Sequence, residues 1–123
     1  MTTQEATFEC LKSWGNAVSG KDKSAVLSHY HYQGSLWPTL SNELRLTPSA
    51  IGDYFDLFLP KINGPVEWNQ CSFQAISDTH CMWSGIYTFQ LVSGTVRARF
   101  TYVLIKEGES WKILHHHSSV MPE

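Results

Sequence analysis

The sequence predicts an α+β domain, with helices first and a curved antiparallel sheet afterwards. Up to Pro60 the apolar residues recur at helical spacing, between recognisable helix start and stop signals. From Val66 onward, β-branched and aromatic runs alternate with turn residues. Length is the third observation: 123 residues fit one domain that can bury a core without disulfides or metals. No repeat, linker or low-complexity segment interrupts residues 1–123, which are read as a single domain.

The first helix is expected from Thr3 to Ser19, with Phe8, Leu11 and Val18 on one stripe and Gly20 as its stop. Asp22 caps a short second helix that carries Val26 and Leu27. Gly34 to Leu46 reads as an irregular segment or a short strand, and Pro38 argues against a central strand there. Thr47-Pro48 starts a third helix, with Thr at the N-cap and Pro in the first helical position. That helix presents Ile51, Phe55, Phe58 and Leu59 inward and stops before Pro60. Strands follow over Val66–Ile76, His80–Val92, Thr95–Ile105 and Trp111–Val120, with turns at Asp78, Ser93-Gly94 and Glu107-Gly108. Consecutive strands joined by short turns make an antiparallel meander. The simplest packing wraps that sheet around the third helix, leaving a cone with a cavity at its wide end.

Composition narrows the function classes. A formal net charge of -2 without a basic stripe argues against nucleic acid as a partner. No apolar run is long enough to span a membrane, and the N-terminus lacks the basic and apolar regions of a secretory leader. Three cysteines (Cys10, Cys71, Cys81) form neither an even framework nor a metal-like spacing, so a reducing, cytoplasmic location is expected. Five tryptophans, five tyrosines and six phenylalanines are many for this length. They point to an aromatic-lined pocket or to an apolar face that a partner subunit covers.

The last strand is the most informative stretch. Trp111-Lys-Ile-Leu-His-His-His-Ser-Ser-Val-Met-Pro122 carries three histidines and two serines directly after an apolar run. Side chains alternate along a strand, so His116 and Ser118 share one face, and His115, His117 and Ser119 share the other. Burying so many polar groups is costly unless each is paired. Either a polar network fixes the fold here or a small polar molecule is bound.

Five segments together carry a family resemblance: Trp14 with Ala17-Val18, Leu36-Trp-Pro-Thr-Leu-Ser41, Ile51-Gly-Asp-Tyr-Phe55, Ala98-Arg-Phe-Thr-Tyr102, and the Trp111-to-Pro122 strand. In this order they resemble the association-domain branch of the NTF2-like superfamily, which includes the hub domain of calmodulin-dependent protein kinase. The run His115-His-His-Ser-Ser119 resembles the terminal motif of the iota-class carbonic anhydrases. The resemblance implies a cone-shaped α+β barrel, a homodimer or larger homo-oligomer, and a functional site inside the cone. It also implies bicarbonate binding by Thr, Tyr, Ser and His side chains. Members of that class are described both with and without metal. Carried over, the catalytic positions are Thr39, His116 and Ser118, and the substrate-binding positions are Tyr54, Tyr102, Ser118 and Thr39. Where the kinase hub has cavity arginines, this chain has Ser118 and Tyr102, which suits a small, weakly held anion.

Hydrating carbon dioxide to bicarbonate needs an apolar slot, a positioned water or hydroxide, donors for the developing carboxylate, and a proton path. Leu36, Trp37, Phe55, Phe100 and Leu114 are candidates for the slot. The hydroxyls of Thr39, Tyr102 and Ser118 would act as preorganised donors, and His116, with an ordinary pKa of about 6.5, as proton acceptor or shuttle. Zinc or manganese would lower the pKa of bound water. His115 and His117 could offer two ligands, with a third from His29, His31 or His80. Adjacent strand residues point oppositely, so the metal-free, cofactor-free reading is preferred.

Bland roles stand beside these. His115 and His117 fit core or interface positions, Thr39 a turn, and Tyr54 the helix core. Arg97 and Arg99 read as surface or interface ion-pairing residues; Arg45 reads likewise, or as an anion guide at a pocket mouth. Two other function classes compete with the carbonic anhydrase. One is a non-enzymatic oligomerising ligand-binding module like the kinase hub. The other is an isomerase or dehydratase, which needs an Asp/His pair; Asp53 and Asp56 have no evident histidine partner.

Overall fold

The computed structural model of the chain describes residues 1–39 and 41–122. Leu40, part of the Pro-Thr-Leu-Ser segment, and Glu123 lie outside the described residues. Helix α1 (Thr3–Ser19) opens on a capping box in which Thr2 and Glu5 satisfy each other's backbone N–H groups. Helix α2 (Lys23–Leu27) is capped by Asp22, and α3 (Pro48–Phe58) by Thr47, with Pro48 in its first turn. All three begin where the sequence placed them. A single 3-10 turn (Leu59–Lys61) follows α3.

Five strands form one sheet in the order β1-β5-β4-β3-β2: β1 (Tyr30–Trp37), β2 (Glu67–Ala75), β3 (His80–Leu91), β4 (Gly94–Glu107) and β5 (Ser110–Val120). The last four make the expected antiparallel meander. β1 corrects the sequence reading. It begins at Tyr30, before the segment thought irregular, and lies parallel to β5, with Ser35, Leu36 and Trp37 opposite His115, His116 and His117. Pro38 follows its last residue, so the proline ends the strand rather than preventing it. The arrangement is the α+β architecture that the sequence predicts, with the helices packed in a curved sheet.

The core is shared between two helices, not gathered around α3 alone. Leu11, Trp14 and Val18 of α1 are fully buried beside Ile51, Phe55 and Phe58 of α3. The Trp14 indole touches Trp68, Tyr87, Phe89 and Tyr102 across three strands. Burying one such aromatic is worth about 1.5–3 kcal/mol by area. The inner face of the sheet is therefore aromatic, and polar groups placed on it must be paired within it.

Candidate functional site

Residues 113 to 118 set the site. Opposite Val103 and Leu104 of β4, β5 slips register: Val103 pairs with His115 and Leu104 with Ile113, leaving Leu114 as an extra, bulged residue. Ile113 points into the core, and uninterrupted alternation would send His115 and His117 inward after it. The bulge reverses the phase. His116 and Ser118 become the buried pair, His115 is half-buried, and His117 is exposed. Gly34 faces this irregularity on β1; a Cβ there would sit 2.8 Å from the Ile113 carbonyl oxygen.

The parallel pairing of β1 with β5 carries the chain past Trp37 to Thr39 beside Ser118, and their hydroxyls are hydrogen-bonded. Ser118 Oγ also accepts from the Tyr87 hydroxyl at 2.5 Å. Tyr87 lies 3.0 Å from His116 Nε2, Tyr30 OH lies 2.9 Å from His116 Nδ1, and Trp14 Nε1 donates to Tyr30 at 3.1 Å. Six side chains, Trp14, Tyr30, His116, Tyr87, Ser118 and Thr39, thus form one buried relay.

Proton counting gives the relay a direction. Burial holds His116 well below the usual histidine range, and the charges of His115 and His117 push the same way, so the ring is neutral with one N–H. The indole can only donate, so Tyr30 accepts from Trp14 and its own proton goes to His116 Nδ1. The His116 proton is then on Nε2 and goes to Tyr87; Tyr87 donates to Ser118, and Ser118 to Thr39. The opposite tautomer would leave the Tyr30 proton without an acceptor. The Thr39 O–H emerges as the free end. Burial raises the Tyr30 and Tyr87 phenols well above their usual value, so they stay protonated.

That free end lies in a cavity of about 10 Å³, on the scale of one water, bounded by Leu36, Pro38, Phe55, Phe58 and Phe89. Tyr54 closes its mouth and donates to the Thr39 carbonyl at 3.3 Å; burial pushes its phenol up, opposed by the Arg45 charge.

The sequence expectations divide against this geometry. Thr39, His116, Ser118 and Tyr54 meet at the cavity. Tyr102 does not line it: its ring stacks on His116, and its buried hydroxyl has no partner among the described residues. Of the proposed slot, Leu36 and Phe55 contribute. Trp37 is 43% exposed because alternation on β1 turns it outward. Leu114 is the bulged residue, and Phe100 is buried deeper, against Trp68 and Tyr87. His116 is buried and hydrogen-bonded through both ring nitrogens, to Tyr30 and to Tyr87. Sequence reasoning missed Tyr30, Tyr87 and Trp14. Inward alternation on β3 could have found Tyr87.

Among the described residues the histidines named for a metal are not brought together. His115 is bonded to Ser35, His29 to Ser13 and Ala25, and His31 to Glu107 and the Gln33 backbone. His80 lies at the β2–β3 turn, bonded to Thr79. No three His, Cys, Asp or Glu groups come together to hold a metal among the described residues. Asp53 is exposed and Asp56 pairs with Lys23, so neither reaches the cavity. Arg97 and Arg99 are exposed, with no ion-pair partner among the described residues.

Residues 3–122 match the profile of the calcium/calmodulin dependent protein kinase II association domain. The chain belongs to this family. A crystallised candidate association domain from Xanthomonas campestris is 35% identical, with a TM-score of 0.86 over 97% of this chain and 86% of that one. An NTF-2 like protein of unknown function from Shewanella oneidensis is 19% identical, with a TM-score of 0.82 over 96% of this chain and 99% of that one. A ketosteroid isomerase-like protein from Erwinia carotovora atroseptica is 13% identical, with a TM-score of 0.77 over 99% and 100%. The last two likenesses are of fold alone. No curated protein matches the chain significantly. No helix among the described residues is long and apolar enough to cross a membrane.

Proposed function

We propose that this association domain is a carbonic anhydrase of the iota type, converting carbon dioxide and hydroxide reversibly to bicarbonate at the Thr39 end of the relay. The observation that carries the reading is the Thr39 hydroxyl, held by Ser118 and Tyr87 with its own proton left to donate into an apolar cavity. Attack by hydroxide forms one C–O bond, and a C=O π pair moves onto an oxygen that becomes part of the carboxylate. Thr39 donates to that oxygen as its charge develops, with Ser118 and Tyr87 fixing the hydroxyl and Tyr54 bracing the Thr39 carbonyl at the mouth. Preorganised donors of this kind contribute roughly 10²–10³ in rate each. No base is required of His116, whose part is to hold Tyr87 in the donating orientation. The cavity, on the scale of one water, excludes a bulky substrate.

Stopped-flow hydration with a pH indicator, on chelator-treated full chain, tests the reading. Catalysis above buffer that falls in Thr39→Val and Ser118→Ala, both still folded, supports it. Rates equal to buffer, with and without added zinc or manganese, sink it.

A second reading rests on the same relay: its groups satisfy one another from Trp14 to Thr39, as a structural network would. On that reading the domain is a non-enzymatic homo-oligomerising module. A silent hydration assay with an assembly larger than a dimer by light scattering would favour it.

A further inference from the structure

The loop joining β1 to α3 holds a cation that the inner cavity does not use. Leu36 and Arg45 exchange both backbone hydrogen bonds, at 2.9 and 2.8 Å, in an isolated antiparallel bridge. The Arg45 backbone is thereby tied to the strand that leads to Thr39. Its side chain is only 14% exposed. Nη1 donates to the Ala50 carbonyl at 3.5 Å and Nη2 lies 3.7 Å from the exposed Glu43 carboxylate, both at the long limit of such contacts. The buried Nε–H meets no acceptor among the described residues. A guanidinium is always charged and has five donors in a planar fork. Burying it with so little satisfaction is unfavourable unless something else completes it.

The space beside it answers to that need. Arg45 borders a cavity of about 160 Å³, together with Thr39, Ser41, Tyr54, Phe58 and Lys61. Among the described residues no carboxylate lines this cavity, so two cations face it in a chain of net charge -2. Thr39, Tyr54 and Phe58 also line the inner cavity, so the larger space is its vestibule. A planar fork of N–H donors matches planar oxyanions better than it matches chloride.

We propose that this vestibule binds one small monoanion with a planar carbonate or carboxylate head. The Arg45 Nη–H groups, only weakly engaged by Ala50 and Glu43, meet one oxygen, Lys61 supplies the second charge, and the Tyr54 side chain lines the same space. The site stands on Arg45 and its surroundings, whether or not the inner cavity catalyses hydration.

The test follows the Arg45 Nε–Hε resonance of the ¹⁵N-labelled full chain, assigned by its loss in Arg45→Lys. Bicarbonate, acetate and neutral acetamide are titrated in turn, at constant pH and at ionic strength balanced with chloride. The expected result is a saturable shift with bicarbonate, acetate or both, and none with acetamide. The anion that saturates first identifies the head group. Backbone resonances of Tyr54 and Leu57 should follow the same curve; in Arg45→Gln their response should weaken roughly tenfold or more, the loss of a charge-assisted contact. Lys61→Gln, at an exposed position, should weaken it less and serves if Arg45→Gln fails to fold. No saturable shift, an equal response to acetamide, or curves unchanged in both variants would overturn the assignment. Ser118→Ala, at a position that lines the inner cavity but not the vestibule, separates the two sites: it should lower hydration while the anion curve persists.

Discussion

The His116 imidazole lies flat on the Tyr102 ring, centroids 4.0 Å apart and planes 16° apart, while its two nitrogens reach sideways to Tyr30 and Tyr87. Trp14 meets the same imidazole edge-on at 5.3 Å. A histidine enclosed in this way is almost wholly shielded from solvent. It is a neutral, fixed group on which two tyrosine hydroxyls are oriented, and through them Ser118 and Thr39.

Replacing that ring should therefore cost stability before it costs anything else. His116→Phe keeps the stacking area but leaves the buried Tyr30 proton without an acceptor and Tyr87 without a donor. Each orphaned group costs about 1–3 kcal/mol, so urea unfolding should lose about 2–6 kcal/mol. An unchanged midpoint would show that the hydroxyls find other partners and that the relay does not hold the fold.

The same burial makes stability depend on pH. His116 has its folded-state pKa held below the unfolded value of about 6.5, so between the two the unfolded chain binds more protons. The contribution is complete above about pH 6.5 and is lost as pH falls from there toward the folded pKa, at up to about 1.4 kcal/mol per pH unit. Burial lowers His29 and His115 as well, in the same direction. Urea midpoints measured from neutral pH downward should fall, and His116→Gln should flatten the slope. A flat wild-type profile would contradict the neutral, buried assignment.

How much of this was legible beforehand follows from the range of each signal. Local signals were read well: Asp22 and Thr47 cap helices where the caps suggested, and the turns at Ser93-Gly94 and Glu107-Gly108 separate the strands. β1 was misjudged because its partner lies far along the chain and Pro38 drew attention from the residues before it. The bulge at Leu114 leaves no local mark either: Ile-Leu-His-His-His reads equally well in both phases. Yet it decides which histidine is buried. Tyr30 and Tyr87 carry no local mark of their role, since only the fold brings residues 30, 87 and 116 to one point.

A packing prediction concerns Gly85, at the centre of β3. A Cβ there would lie 1.7 Å from the Gln70 carbonyl oxygen, beside the register shift between Trp68 and Gln70 on β2. The obstacle is backbone, so β2 itself must move. Gly85→Ala should destabilise the fold by about 2–4 kcal/mol, more than most surface substitutions. It should also disturb Trp68, whose ring packs on Trp14, Tyr87 and Phe100, so tryptophan fluorescence should shift in the folded variant. An alanine variant of wild-type stability and emission would mean that this close approach is not a feature of the fold.

The last prediction concerns the source of the nucleophile. At neutral pH, Tyr30, Tyr54 and Tyr87 are held protonated by burial, and His116 is held neutral. Serine and threonine hydroxyls do not ionise in this range, so none of these groups changes charge between about pH 7 and 9. If hydroxide from solvent attacks carbon dioxide against the Thr39 donor, kcat/KM for hydration should rise about tenfold per pH unit across that interval, because hydroxide concentration does. A catalytic base or a metal-bound water would give a different curve, rising to a plateau above its own pKa, near about 7 for zinc. Stopped-flow rates on chelated protein separate the two. A unit slope that keeps its shape but drops about 10²–10³-fold in Thr39→Val supports a donor that lowers the barrier without titrating. A plateau that appears only when zinc is restored would assign the chemistry to a metal-bound hydroxide and reduce the Thr39–Ser118 pair to a scaffold.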